Sequence, residues 1–364
     1  MPKTMLKSIL GILAAAGLAA SAVAAEPELV LSKRVSGKAE GRLVRTAQGL
    51  ALLGEGGLTP LEGERAPSAW GEQGWVTPAP PAGRWFLAVE KPRTGGFAEP
   101  QRRGRMVLGD LDAAAPISAQ SKVMHNAAWP VAVTENPDGS LTMLVWAKAP
   151  PFVTEPGYRL VRYRPGTYLR DAQVADWPGG PKVVGPSQMM ADGQGGWSLL
   201  SRLDEDGECG RRAGFSLTRI DAALKVSPGP SVCLPEAFTP FTTEIIAAAL
   251  TPRGPVWFVS GKQAGAHRIG RIEASGETLR AKALGELPAG EIVSVAYDGT
   301  DLLLVQAGRA MRVAPGGEPA DVDLPAPSCD GRKADGKPAL LAAVIDGKLH
   351  LAAIADGCVN VWRL

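Results

Sequence analysis

The sequence predicts an all-β chain, a β-propeller of seven four-stranded blades. Three observations carry that expectation. A glycine-turned hairpin recurs seven times along the chain, an arginine-centred strand and a Leu-Pro step follow it in several copies, and the last copy lacks one strand that the N-terminus can supply.

The hairpins come first because their turns are the clearest signal. Apolar stretches flank a Gly-containing turn at Gln48-Gly49, Pro80 to Gly83, Asp138-Gly139, Gly195-Gly196, Arg253-Gly254, Asp298-Gly299 and Asp346-Gly347. Gly and Asp tolerate the positive φ that tight hairpin turns require. Counting from glycines 49, 83, 139, 196, 254, 299 and 347, the intervals are 34, 56, 57, 58, 45 and 48 residues. Their mean of about 50 matches propeller blades with insertions.

The second half of the unit is a strand with a central arginine: Leu160 to Tyr163 around Arg162, Leu217 to Ile220 around Arg219, Ile269 to Ile272 around Arg271, and a fainter Met311-Arg312-Val313. A fourth strand closes on Leu234-Pro235, Leu287-Pro288 or Leu324-Pro325, since proline has no N–H for a ladder and suits a strand end. Residues recurring at one place in a repeat serve the repeat, so these arginines are expected to pair with acidic neighbours in the adjacent blade. The inner strands are expected to be packed on both faces.

The C-terminal unit has a hairpin at 340–353 and a third strand at Val359 to Leu364, and no fourth. The segment Leu29 to Lys33 is a spare strand, and pairing it there would close the ring and cover an open edge. Six or eight blades, a pair of all-β sandwiches and a solenoid are the alternatives.

Residues 1–25 read as a removable signal peptide. Lys3 and Lys7 precede an apolar run from Ile9 to Val23, broken only by Ser21, and Ala22-Val23-Ala24 offers small residues for cleavage. The run is short and Ala-rich for a membrane anchor. The mature chain then starts near Ala25 or Glu26 and forms one domain over 26–364, soluble, without a membrane span, and periplasmic or secreted. Of 39 basic residues, Lys3 and Lys7 leave with the leader, so 37 basic face 37 acidic. That balance argues against nucleic acid, which needs a basic face. The four cysteines, Cys209, Cys233, Cys329 and Cys358, read as two disulfides in an oxidising compartment. The blade map favours Cys209 with Cys233 and Cys329 with Cys358.

Taken together, the chain resembles the broad class of bacterial secreted β-propellers, over its whole mature length and at the level of architecture. The resemblance implies a monomeric disc whose ligands sit at one mouth of a central channel.

The chemistry-bearing residues are few. There is no Gly-x-Ser-x-Gly elbow, Pro60 stops any helix after Gly54-Glu55-Gly56-Gly57, and the acidic cluster from Asp204 to Glu208 fits no calcium loop. No sialidase-type Asp box or quinoprotein tryptophan motif occurs. Only His125, His267 and His350 are present, so no histidine-rich metal site, and no cofactor, is expected. The loops entering the innermost strands carry Trp75, His125, Asn126, Trp129, Ser187, Gln188, Thr243, Glu244 and Glu291. These are the candidate mouth residues for a ligand or partner. A second candidate is the basic insertion Lys91 to Arg105 around Gly95-Gly96-Phe97, with Arg93, Arg102, Arg103 and Arg105. A third is the proline-rich stretch Ala147 to Tyr158 with Phe152. The expected function is a non-catalytic binding or scaffold protein for an envelope partner or small ligand. The alternative is a propeller hydrolase or lyase acting on a saccharide or small molecule at the mouth.

Overall fold

The structure is a computed structural model. It describes residues 26–35, 41–54, 57–63, 68–69, 73–77, 85–90, 105–110, 128–136, 138–147, 157–164, 173–176, 184–192, 195–203, 208–263, 266–315 and 318–364. Among these there is no helix. The leader 1–25 lies outside them.

The strands form consecutive antiparallel sheets. The first holds β2 (Arg42–Thr46), β3 (Gly49–Gly54), β4 (Gly57–Pro60) and β5 (Ser68–Ala69), preceded by β1 (Glu28–Arg34). The second holds β6 (Gln73–Thr77), β7 (Trp85–Glu90) and β8 (Arg105–Asp110). The third is β9 (Ala128–Glu135), β10 (Leu141–Ala147), β11 (Gly157–Tyr163) and β12 (Gln173–Asp176). The fourth is β13 (Val184–Ala191), β14 (Trp197–Arg202), β15 (Gly214–Ile220) and β16 (Val226–Cys233). The fifth is β17 (Thr243–Thr251), β18 (Gly254–Gln263), β19 (Ala266–Ser275) and β20 (Thr278–Pro288). The sixth is β21 (Ile292–Tyr297), β22 (Leu302–Gln306), β23 (Arg309–Val313) and β24 (Pro319–Asp321). After a short ribbon, β25 (Ser328–Cys329) with β26 (Arg332–Lys333), comes the seventh sheet: β27 (Ala339–Ile345), β28 (Lys348–Ala355) and β29 (Cys358–Arg363). Its fourth strand is β1, paired antiparallel to β29 with Lys33 opposite Val359.

Within each sheet the strands follow chain order, and the first strands touch across sheets: β9 with β13, β13 with β17, β17 with β21, β21 with β27, and β27 with β2. The arrangement is propeller-like, and the packing shows why the sequence demands it. Strand alternation sends neighbouring residues to opposite faces. Leu199 packs into a core shared with the third sheet, while Leu200 packs into one shared with the fifth. Trp257 and Val259 face the fourth sheet, whereas Val256 and Phe258 face the sixth. Leu302 and Leu304 face back to the fifth sheet, and Leu303 and Val305 face forward to the seventh. Ala352 and Ile354 then join Leu43, Leu50 and Leu52 of the first sheet. Burial on both faces belongs to the second and third strands, as along β22, β14 and β15. The innermost strands, expected to be covered on both sides, are only partly buried, as along β21 and β27. They stand first in their sheets, with no strand paired beyond them.

The expected turn glycines take positive φ at Gly49, Gly139, Gly254, Gly299 and Gly347. In the fourth hairpin the left-handed residue is Gly195 (φ 91°) and not Gly196. A Cβ on Gly196 would sit 2.6 Å from the Ile220 carbonyl oxygen, so that glycine serves a close approach to the strand end.

The repeated arginines serve the repeat, with one correction. Arg162 meets Asp138 at 3.1 Å, Arg271 meets Glu273 at 2.5 Å and Arg312 pairs with Asp301, all within their own sheets. Only Arg219 finds its carboxylate, Glu277 at 2.8 Å, in the next sheet. What crosses the seam elsewhere is the flat face of the guanidinium. Arg162 lies 5.7 Å from the Trp197 ring of the fourth sheet, and Arg271 lies 5.8 Å from the Tyr297 ring of the sixth. A delocalised guanidinium can pair with a carboxylate at its edge and stack on an aromatic with its face.

Around Arg162 this becomes a buried polar network. Asn136 donates to Ser140 at 2.8 Å and to Thr142 at 3.0 Å, and accepts the Trp197 indole N–H at 2.6 Å across the seam. Asn136→Ala would leave that indole donor buried and unpaired, at a cost of about 1–3 kcal/mol. Urea unfolding at neutral pH reads this directly, and an unchanged midpoint would contradict the network. Asp138 is held down to about 2, first by the Ser140 hydroxyl and backbone N–H, then by Arg162 and Arg164. A carboxyl whose folded pKa is depressed stabilises the fold above its ordinary pKa and loses that contribution as pH falls through the folded value. Stability should therefore drop between about pH 4 and pH 2, and Asp138→Asn should flatten that part of a midpoint-versus-pH curve.

Candidate functional site

A four-stranded antiparallel meander leaves at the end where it entered, because an even number of traverses returns the chain to its starting side. The third to sixth sheets each have four strands in chain order. Hence β13, β17, β21 and β27 all begin on one side of the molecule, here called the entry face. The opposite side holds the turns between first and second strands and between third and fourth strands.

The two sides differ in character. The far side carries the glycine turns and the arginine pairs already described. The entry face carries the described part, 208–213, of the connection from β14 to β15, and the long connections 234–242 and 322–338. Both disulfides lie there as well. Cys209 in the connection 203–213 joins Cys233 at the end of β16, and Cys329 in β25 joins Cys358 at the start of β29. The second bridge sits in a cluster that also grips β1. Ser32 donates to the Ser328 carbonyl at 2.8 Å, Arg34 meets Asp330 at 3.2 Å, and the Asn360 side chain bonds both the N–H and the carbonyl of Ser328. A groove of about 390 Å³ opens beside it, between the sixth and seventh sheets. It is bounded by Arg309, Asp321, Pro325, Pro327 and Pro338. Arg309 donates to Asp321 at 2.8 Å, which lowers the carboxyl below its usual range.

The candidate mouth residues fall at this end of the first strands, but mostly not in loops. Trp75 lies in β6, Trp129 in β9, Gln188 in β13, and Thr243 and Glu244 in β17; only Glu291 precedes its strand. The reason is a recurrent bulge. Near the start of the first strand the register slips at Trp75, at Val131, between Val184 and Gln188, at Ile246 and at Val293. An extra residue kinks the strand and ends regular pairing early, which reads in sequence as a loop. Gln188 is half-buried, and Glu244 and Glu291 are exposed. His125, Asn126, Arg93, Arg102 and Arg103 lie outside the described residues, as do 148–156 and 204–207. Arg105 opens β8.

In the fifth sheet Glu244 stands directly opposite Ser260, so both side chains share one face. The Ser260 hydroxyl lies 3.1 Å from His267 Nδ1 on the next strand. Carboxylate, hydroxyl and imidazole thus form a row with the hydroxyl in the middle. A nucleophile relay needs the imidazole in the middle, oriented by the carboxylate, and Ser260 is only 6% exposed. The row lacks the order of a hydrolytic triad. Among the described residues no three His, Cys, Asp or Glu side chains converge as metal ligands, and no helix is long and apolar enough to cross a membrane.

Two residues escaped the sequence. Phe241, just ahead of β17, is 76% exposed, and Val293, at the β21 bulge, is 52% exposed. In the run Phe238-Thr239-Pro240-Phe241 the two phenyl groups are alike on paper, yet Phe238 is fully buried.

No family model and no curated protein sequence matches the chain. Among solved structures it is similar to the extracellular domain of a one component system from B. thetaiotaomicron, with 11% identity, TM-score 0.47, and coverage of 90% of this chain and 41% of that one. The chain thus spans about two fifths of the length of that protein. A protein of unknown function from Dyadobacter fermentans gives 12% identity, TM-score 0.45, and coverage of 93% and 100%. An oligogalacturonate lyase in complex with manganese gives 14% identity, TM-score 0.40, and coverage of 84% and 80%.

Replacing both Cys329 and Cys358 by Ser removes a cross-link spanning 29 residues, worth about 3 kcal/mol on loop-entropy grounds. Because the bridge sits in the cluster that holds β1, limited proteolysis of the variant should cut first between residues 26 and 41. First cleavage elsewhere would contradict that placement.

Proposed function

We propose that this is an exported seven-bladed β-propeller, closed by β1 on the last blade, that acts as a binding or scaffold protein through its entry face. The partner is an envelope component or a small ligand. The observation that supports this most is the inequality of the two faces. One is occupied by the hairpin turns and by the arginine pairs of the third to sixth sheets. The other gathers the long connections, both disulfides, the bulges, and Gln188, Glu244 and Glu291. In a repeat protein recognition is carried where the units differ. Export is supported by the leader-like residues 1–25 and by two disulfides, which persist in oxidising compartments. Catalysis is the weaker reading because the one serine–histidine contact among the described residues, Ser260 with His267, has the wrong order for a relay.

Site-specific photo-crosslinking in the native host tests the proposal. A photoreactive residue at position 188, 244 or 291 should give a discrete adduct in the periplasmic fraction, and one at Arg253 on the far side should give none. Equal adducts at both faces, or adducts only at Arg253, would overturn it.

A further inference from the structure

The loop 234–242 is built to hold Phe241 out in water. Phe238 anchors it from below at full burial, filling the space in front of Gly261, where an added Cβ would meet its ring at 2.7 Å. The Ala213 N–H bonds the Phe238 carbonyl at 2.8 Å, and the Leu234 N–H bonds the Ala213 carbonyl at 2.8 Å. Arg202 donates to the Pro240 carbonyl at 2.5 Å, Thr243 to the Thr239 carbonyl at 2.7 Å, and the Lys262 N–H to the Thr242 carbonyl at 3.1 Å. The Cys209–Cys233 bridge closes its base. A loop tied on both sides of one residue, with that residue three-quarters exposed, is a preorganised apolar anchor.

Its surroundings say what it meets. β17 touches β21, so Phe241 and the bulged Val293 head adjacent first strands on the same face. Toward the axis the side chains that accompany them are Glu244 and Glu291, both exposed. Of the cations of this region, Arg202 is held by the Pro240 carbonyl and Arg268 is paired with Glu286 at 2.5 Å, while Arg211, Arg212 and Lys262 belong to the second strand and the connection behind the first strands. The inner side of the patch is therefore apolar and negative. Two carboxylates suit a guanidinium or ammonium group, and a phenyl face suits either an aliphatic stem or the guanidinium plane itself.

We propose that Phe241, Val293, Glu244 and Glu291 form a docking surface for a protein segment that pairs a Lys or Arg with an adjacent apolar residue. The inference rests on the entry face being the binding surface and names the chemistry of the partner.

The probes are fluorescein-labelled nonapeptides alternating Arg with Leu, the same peptides with Glu for Arg, and a neutral oligosaccharide series. Anisotropy would be read on the mature protein, on Phe241→Ser and on Glu244→Gln/Glu291→Gln. Phe241 is exposed, so its replacement should leave the melting temperature unchanged and isolate binding. The Arg–Leu peptides should bind at least tenfold tighter than the Glu–Leu set. Either variant should weaken them at least tenfold, and affinity should fall with added salt. Phe241-dependent binding of the acidic peptides or saccharides instead would overturn the cationic partner and leave the binding face standing. No Phe241-dependent binding of any probe would overturn both.

Discussion

The structure depends on one constraint: a sheet with two apolar faces must have a sheet on each side of it. Leu302 to Gln306 is buried at every residue, with odd and even positions going to different cores. β14 and β28 are buried in the same way at every residue except Arg202 and Lys348. No such sheet can end a row without exposing a full apolar face to water, a loss of about 25 cal/mol for every Å² left uncovered. The row therefore keeps going. From the third sheet it passes through the fourth, fifth, sixth and seventh to the first, each seam filled by one core. The N-terminal strand β1 follows from the same pressure applied to hydrogen bonds, since β29 would otherwise present an open edge.

That constraint also separates structure from function. Four strands per sheet return the chain to one face each time, so the far face can be standardised while the entry face is left to vary. The repeated arginines belong to the standard side. Each uses its edge for a carboxylate or carbonyl, and Arg162 and Arg271 use their flat face for an aromatic across the seam. Arg162, Arg219 and Arg271 tie one sheet to the next at the periphery of the cores. The entry face, relieved of that task, carries the disulfides, the long connections and Phe241.

Much of this was legible in the residues. The hairpin glycines, the arginine strands and the pairing of a late third strand with Leu29 to Lys33 were all visible because each rests on local geometry: a positive φ, an alternation, a missing partner. Cys209 with Cys233 and Cys329 with Cys358 followed from the same map. Other features were hidden for physical reasons. A bulge looks like a loop in sequence, so Trp75, Trp129, Gln188 and Glu244 read as loop residues although they stand in strands. The partner of each arginine depends on the twist between sheets, which no spacing encodes. Phe238 and Phe241 differ only in which side of Pro240 they occupy, and burial of the first is settled by the space that Gly261 and Gly270 leave in front of it.

Amide hydrogen exchange across the whole mature chain tests the central constraint most directly. If the sheets are mutually dependent and β1 completes the last of them, the amides of β1 and β29 will be protected to the same free energy as those of β14 and β22, and will be lost together with them near the global unfolding transition. Exchange of β1 and the seventh sheet well ahead of the other sheets would contradict the account, by showing that the row tolerates an open end.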